Sequence, residues 1–449
     1  MERGIYEKYR GVNLRLRQGK MAFLLPEKGR FIFSGKQREG QTKLLHYPAL
    51  GVYAGKGSSH SWLWFVTVLE RMGFYNLRFL NEEDFKLPGS LNSLDSLIVS
   101  GGELSGIAEG LGREGAKNLK SYIKRGGTYL GSCAGACLPL HSSKPPLSLF
   151  NLVKVKINNI STSPPPPLRM EWKYITPYGA DYIFHPVRDE VVITASGLPP
   201  FYQYNSLVAP LYGGPPMRPP EEEEALGLAQ YRDFTPKTLY LTDARNGRKV
   251  VLGTTAAIRK DLGRGSLFLF GPHFEHPDYP QANAIIANTI FWGMKEREAP
   301  IRQLEQEVEE EADRKTPELI LTEIKREVSN SRVYCMGMLS RPLRWQIRDK
   351  VYEPEQFLPF LDAVWKRIKP LQRLIYHQRG AGRIHLTELE RVLAAVHAAR
   401  DALKRLNIRV RGGGESTGMA EAALTELRNM TRLFLSLYYC ILDDGVDNK

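Results

Sequence analysis

Apolar positions change their rhythm three times along this chain. In residues 1–48 no helical period stands out. VNLRLRQGK and RFIFSG alternate as short strands between turns do, which predicts an N-terminal extension folded as a β-hairpin. From residue 49, short apolar runs alternate with helical stretches. ALGVYAG, YNLRFL, SLDSLIVSGG and GTYLGSC read as buried strands. SSHSWLWFVTVLERMG reads as a helix capped by Ser58 or Ser59 and stopped by Gly73, and GREGAKNLKSYIKRGG as an amphipathic helix. This alternation predicts an α/β fold, a parallel sheet with helices on both faces. Right-handed crossovers make the flavodoxin-like order the leading topology.

Residues 141–237 break the regularity. SSKPP, SPPPP and GGPPMRPPEEEE are Pro-rich. They predict a loop-rich insertion with short strands at VVITASG and SLVAPLY. Strand patterns return at KTLYLTDA, KVVLGTTAAI and GSLFLFGPHFEHP, and the helix PQANAIIANTIFWGMKERE closes an α/β domain over 49–299. Past Pro300 the pattern is helical. Leu386, Leu389, Leu393, Val396 and Leu403 form one stripe, and the run from Leu424 to Leu442 is more apolar still. A C-terminal all-α helical domain over 300–449 is expected, without catalytic residues. Its apolar faces predict packing in a bundle, against a protein partner or in self-association.

Composition narrows the function classes. Lys and Arg total 62 against 49 Asp and Glu, a formal charge of +13. The basic residues are spread along the chain, which favours a merely basic surface, with nucleic acid kept as a rival partner. Four cysteines in 449 residues make no disulfide framework. The charged start lacks the apolar core of a signal peptide, and the stretch Leu433–Leu442 is too short for a bilayer. A cytoplasmic protein without membrane contact is expected. Cys133 and Cys137 form a lone C-x-x-x-C with no second ligand pair, so neither metal nor cofactor is expected.

The chemistry gathers at the strand ends. GTYLGSCAGA runs a buried strand into Cys133 flanked by small residues, which permits a tight turn that lifts the thiol to the sheet edge. The strand GSLFLF ends at Gly271-Pro272-His273-Phe274-Glu275. His273 can serve Cys133 as base, and Glu275 can orient the imidazole. SLIV ends in Ser100-Gly101-Gly102-Glu103, where N–H groups of Gly101 and Gly102 can join that of Ala134 in an oxyanion hole. His276 is near enough in sequence to line the same mouth; His185 also precedes a proline.

These three segments, in this order, resemble the class I glutamine amidotransferase-like superfamily over roughly residues 49–298: SGGE its oxyanion loop, GSCAGA its nucleophile elbow, HFE its His-x-Glu element. More closely, the chain is similar to the amidotransferase-like N-terminal domain of biotin-protein ligases. VYAGKG at 52–57 matches its Gly-rich loop and Tyr212-Gly213-Gly214-Pro215 its Tyr-x-Gly-Gly-Pro segment. The chain departs in three ways. It has no Gly-Arg-Gly-Arg adenylate run, no synthetase domain, and Ala136-Cys137 where glutamine amidotransferases carry a glutamine. The resemblance implies an amidotransferase- or hydrolase-like protein acting on a small amide or acyl substrate through a Cys133 thioester. The alternative is a catalytically silent binding or regulatory module of the same fold, for an anionic ligand or nucleic acid.

Overall fold

A computed structural model describes residues 2–33, 42–158, 186–202, 204–221, 223–240, 243–294, 316–348, 350–378 and 386–444. Two compact units divide it: Met1–Lys295 with Gln346–Val351, and Glu296–Trp345 with Tyr352–Lys449.

The first unit opens on helix α1 (Glu2–Arg17), which corrects the strand reading of VNLRLRQGK. Val12, Leu14 and Leu16 fit a two-residue period, but Tyr9, Val12, Asn13 and Leu16 fit a helical one, and these are the residues buried, while Leu14 is exposed. Two polar ties fix the helix. Tyr9 donates its hydroxyl to Asn288 Oδ1 at 2.7 Å, and Asn13 Nδ2 donates to the Met72 carbonyl at 2.9 Å. A small antiparallel sheet follows, with β1 (Phe23–Leu25) between β2 (Arg30–Ile32) and β3 (Lys43–Leu44). Of the hairpin expected from VNLRLRQGK and RFIFSG, the RFI part is strand β2, and its hairpin partner is β1, with Phe23 opposite Ile32.

Among the described residues the large sheet has ten strands. Its parallel part comprises β4 (Leu50–Tyr53), β5 (Leu77–Leu80), β6 (Ser96–Val99) and β7 (Thr128–Ser132). All residues of β4, β6 and β7 are buried, as continuous apolar runs in a two-sided sheet require. The crossovers carry α2 (Trp62–Arg71), α3 (Glu82–Lys86) and α4 (Leu104–Lys124). α3 is held by a reciprocal box in which Asn81 Oδ1 accepts from the Asp84 N–H and Asp84 accepts from the Asn81 N–H. A single turn, α5 (Ala134–Cys137), follows β7.

The Pro-rich stretch contributes more than loops. SPPPP and His185 lie outside the described residues. β8 (Val187–Ala195), β9 (Ser206–Leu211), β10 (Leu226–Phe234) and β11 (Leu239–Tyr240) extend the main sheet through antiparallel pairings. The KVV of KVVLGTTAAI corrects to the end of helix α6 (Ala244–Val251), capped by the Asp243 side chain on the Asn246 N–H. Gly253 then turns the chain into β12 (Thr255–Leu262), which pairs antiparallel with β13 (Gly265–Phe270). β13 returns parallel to β7, and α7 (Pro280–Gly293) follows it. The sheet order is β11-β8-β10-β12-β13-β7-β6-β4-β5, with β9 on β8. Phe270 pairs with Ser132 and Val99 with Gly131, so β6, β7 and β13 release their chains at one carboxyl edge.

The second unit is helical. α8 (Pro317–Leu339), α9 (Leu358–Gln378), α10 (Leu386–Arg411) and α11 (Thr417–Asp444) pack α8 on α10, α10 on α11, and α9 on α8 and α11. Between α8 and α9 in the chain, β14 (Trp345–Ile347) and β15 (Lys350–Tyr352) form a two-stranded sheet. Leu389, Leu393, Val396 and Leu403 of the expected stripe are buried. Among the described residues, no helix is long and apolar enough to cross a membrane.

Candidate active site

Cys133 sits where β7 turns into α5, with φ 53° and ψ −114°. A non-glycine residue there carries roughly 1–3 kcal/mol of backbone strain, held by its surroundings. Three hydrogen bonds hold the turn. The Cys133 N–H donates to the Phe270 carbonyl at 3.0 Å and the Gly135 N–H to that of Ser100 at 3.1 Å; Tyr129 donates its hydroxyl to the Gly135 carbonyl at 2.6 Å. Gly135 is required by close approach, since a Cβ there would overlap the Val99 carbonyl oxygen. The two glycines of GSCAGA, Gly131 and Gly135, are thus fixed by close packing at the turn.

His273 and Glu275 leave β13 at the same edge. His273 Nδ1 lies 2.6 Å from Glu275 Oε1, and both side chains are buried. Ser132 Oγ donates to the Glu275 carboxylate, 3.0 Å from one oxygen and 2.9 Å from the other. The Cys133 sulfur lies near enough to act electrostatically on the imidazole. A Cβ on Gly101 would stand 3.0 Å from His273 Cε1 and 3.3 Å from Cys133 Cβ, so both side chains lie over the SGGE loop. Gly102 sits against the Gly57 carbonyl, which leaves no room for a Cβ. Burial alone would lower His273; the Glu275 carboxylate and the Cys133 sulfur outweigh it and raise the imidazole to about 10. At neutral pH this favours imidazolium, a cation between two acidic partners.

One wall of the site is aromatic. Trp64 of α2 meets His273 edge-on at 5.3 Å between ring centroids, His276 at 4.6 Å, His60 at 5.3 Å and Tyr212 at 5.9 Å. The Tyr212 carbonyl accepts from Cys133 Sγ at 3.8 Å. Burial pushes the Tyr212 phenol up to about 12 and the His60 imidazole down to about 3, so both are neutral near pH 7. His60 Nδ1 is buried without a hydrogen-bond partner.

The structure therefore brings together Cys133, His273, Glu275 and Gly101, with Ala134 and Gly102 adjacent in the chain, and places His276 at the same mouth. Sequence reasoning missed Ser132, His60 and Trp64. Ser132 shares the strand end with Cys133, but its contact with Glu275 depends on how the strands align; around the other two the apolar spacing reads as core. Cys137 is buried and not in a disulfide. Among the described residues no acidic, His or Cys cluster fits a metal.

The fold and this site define a mixed α/β protein with a buried Cys–His–Glu constellation at the carboxyl edge of its parallel strands. The model of the family "Biotin-protein ligase, N terminal" matches residues 50–141, which include SGGE and the Cys133 turn but not His273 or Glu275. No curated protein matches the chain. Among solved structures, a β-galactosidase from Bacillus circulans sp. alkalophilus is similar at 14% identity and TM-score 0.29, over 54% of this chain and 30% of that one. The exo-β-1,4-mannosidase Op5Man5 from Opitutaceae bacterium strain TAV5 is similar at 10% identity and TM-score 0.28, over 55% and 35%. The match thus spans about a third of each of those chains. Such TM-scores carry no inference about activity.

Proposed function

We propose that the chain is a cysteine-nucleophile enzyme of amidotransferase- or hydrolase-like chemistry, acting on a small amide or acyl substrate. The order β5-β4-β6-β7-β13 of the parallel strands supports a flavodoxin-like core for it. The observation that carries the reading is the strained Cys133 beside His273 over the same Gly101 backbone, with His273 Nδ1 meeting buried Glu275 at 2.6 Å.

In the proposed reaction His273 already holds, as imidazolium, the proton that Cys133 Sγ gives up, and the sulfur attacks the carbonyl carbon. The oxyanion is met by N–H groups of Ala134 and the Gly101–Gly102 loop. Collapse breaks the C–N bond, and His273 returns the proton to the leaving amine. Water, deprotonated by His273, then cleaves the thioester and releases the acid. Glu275 keeps Nδ1 protonated throughout, and Ser132 holds Glu275. The family match supports a module like the N-terminal one of biotin-protein ligases. A second reading, a silent binding module, is favoured by Cys133 being 7% exposed and covered by the Tyr212 carbonyl.

An amide-shaped chloroacetamide probe distinguishes the two. The enzyme reading expects selective alkylation of Cys133 in the full chain, mapped by peptide mass spectrometry. Equal labelling of all four cysteines, or labelling of exposed Cys440 alone, contradicts it.

A further inference from the structure

A second concentration of chemistry lies along α1, independent of Cys133. A cavity of about 600 Å³ opens between α1 and the β1–β2 hairpin. Its wall carries Lys8 and Arg15 from α1, Lys28 and Arg30 from the hairpin, and two rings, Phe31 and Phe33. Lys8 and Arg15 are seven residues apart, two helical turns, and so share one face. Lys28 is presented by a turn that ends at Gly29, whose φ of +57° and contact with the Tyr202 ring exclude a side chain. The fold thus builds the four-cation wall from two elements.

Among the described residues no carboxylate lines the cavity, and none of the four cations is ion-paired. Arg15 Nε is buried without a hydrogen-bond partner. Four like charges around one void repel each other, and a buried unpaired donor lowers stability, so an anion at this place would relieve both. The rings add a second specificity. The Arg15 guanidinium lies 4.9 Å over Phe33 and Lys8 Nζ lies 5.4 Å from the Phe31 centroid, while Phe33 keeps nearly half its surface open. An open ring beside clustered guanidinium and ammonium groups suits a ligand with both a planar ring and phosphate oxygens. The volume lies within the roughly 300–1,000 Å³ usual for small-ligand sites.

We infer that this cavity binds a nucleoside phosphate, its phosphates held by the four cations and its base stacked on Phe33. Calorimetric titration of the full chain with ADP, inorganic phosphate and adenosine tests this. ADP should bind in the range of roughly 1–100 µM, and phosphate or adenosine alone at least about tenfold more weakly, as expected when charge and stacking both contribute. Lys28→Gln and Arg15→Gln should each weaken ADP about tenfold, and Phe33→Ala by about five- to tenfold. Lys28 lies on an exposed turn, so its variant keeps the test readable if Arg15→Gln fails to fold. Absence of ADP binding, phosphate binding as tightly as ADP, or ADP binding unchanged in Lys28→Gln and Phe33→Ala would overturn the inference.

Discussion

The Cys133 site and the α1 cavity both concentrate ionisable groups, and they treat charge in opposite ways. At Cys133 the groups satisfy one another. Glu275 is fully buried, yet its oxygens meet Ser132 and His273. Along α1 four cations face a void that, among the described residues, no carboxylate lines. A group that must carry out chemistry is held in one geometry and one protonation pattern by partners of the same chain. Groups that must receive a ligand are left for the ligand to satisfy. The difference predicts which substitutions harm reactivity, which harm folding and which harm neither.

The largest effect is expected at His273. His273→Ala should slow alkylation of Cys133 by the chloroacetamide probe about 10²–10⁴-fold, the usual contribution of a positioned base. An unchanged rate in a folded variant would mean that the thiol reacts unaided. Next is Glu275→Gln. Breaking a buried charge pair by changing one partner typically costs about 3–5 kcal/mol, and the amide also disrupts the Ser132 contact. Urea titration should show a loss of that size, and a loss below about 1 kcal/mol would mean that the pair is not the anchor described.

The pH dependence follows from His273. Folding raises its imidazole from 6.5 to about 10, so the folded state holds a proton that the unfolded chain releases between those values. This stabilisation is fully present below about pH 6.5 and is lost as pH rises through about 10. Wild type should therefore lose stability from pH 7 to 10 more steeply than His273→Gln in parallel urea titrations. Parallel curves would remove the charged imidazole from the account. The smallest effect is expected at the cavity. Without ligand, Lys28→Gln and Arg30→Gln should leave the melting temperature unchanged or slightly raised, because each relieves repulsion within the wall and breaks no ion pair among the described residues. A clear fall would mean that they are structural.

The two regions also differ in how far they were legible in the sequence. Cys133, His273 and Glu275 were legible because each follows a buried apolar run, and strand ends in a parallel sheet share an edge. Gly101, Gly102 and Gly135 could be read as close-approach positions for the same reason. Ser132 was not, since its contact with Glu275 depends on how β7 and β13 align, residue 132 beside residue 270. The α1 cavity was hidden by a misread period. VNLRLR satisfies strand and helix rhythms at once, and only the packing of Tyr9, Val12 and Leu16 decides between them. Once the segment is a helix, Lys8 and Arg15 fall on one face; as a strand they would not have been linked. β10 was missed because the Gly, Ala and polar residues of LGLAQYRDF weaken the apolar signal.

The coupling of Cys133, His273 and Glu275 is the central claim, and the protonation of one ring reports it most directly. Histidine-labelled protein followed by NMR from about pH 5 to 11 gives the His273 titration, assigned by its loss in His273→Gln. The account predicts an imidazole that stays protonated through neutral pH and titrates near 10, falling in Cys133→Ser and Glu275→Gln. An imidazole titrating near the ordinary value of about 6.5 for a solvated histidine in wild type, and unmoved by either substitution, would contradict it.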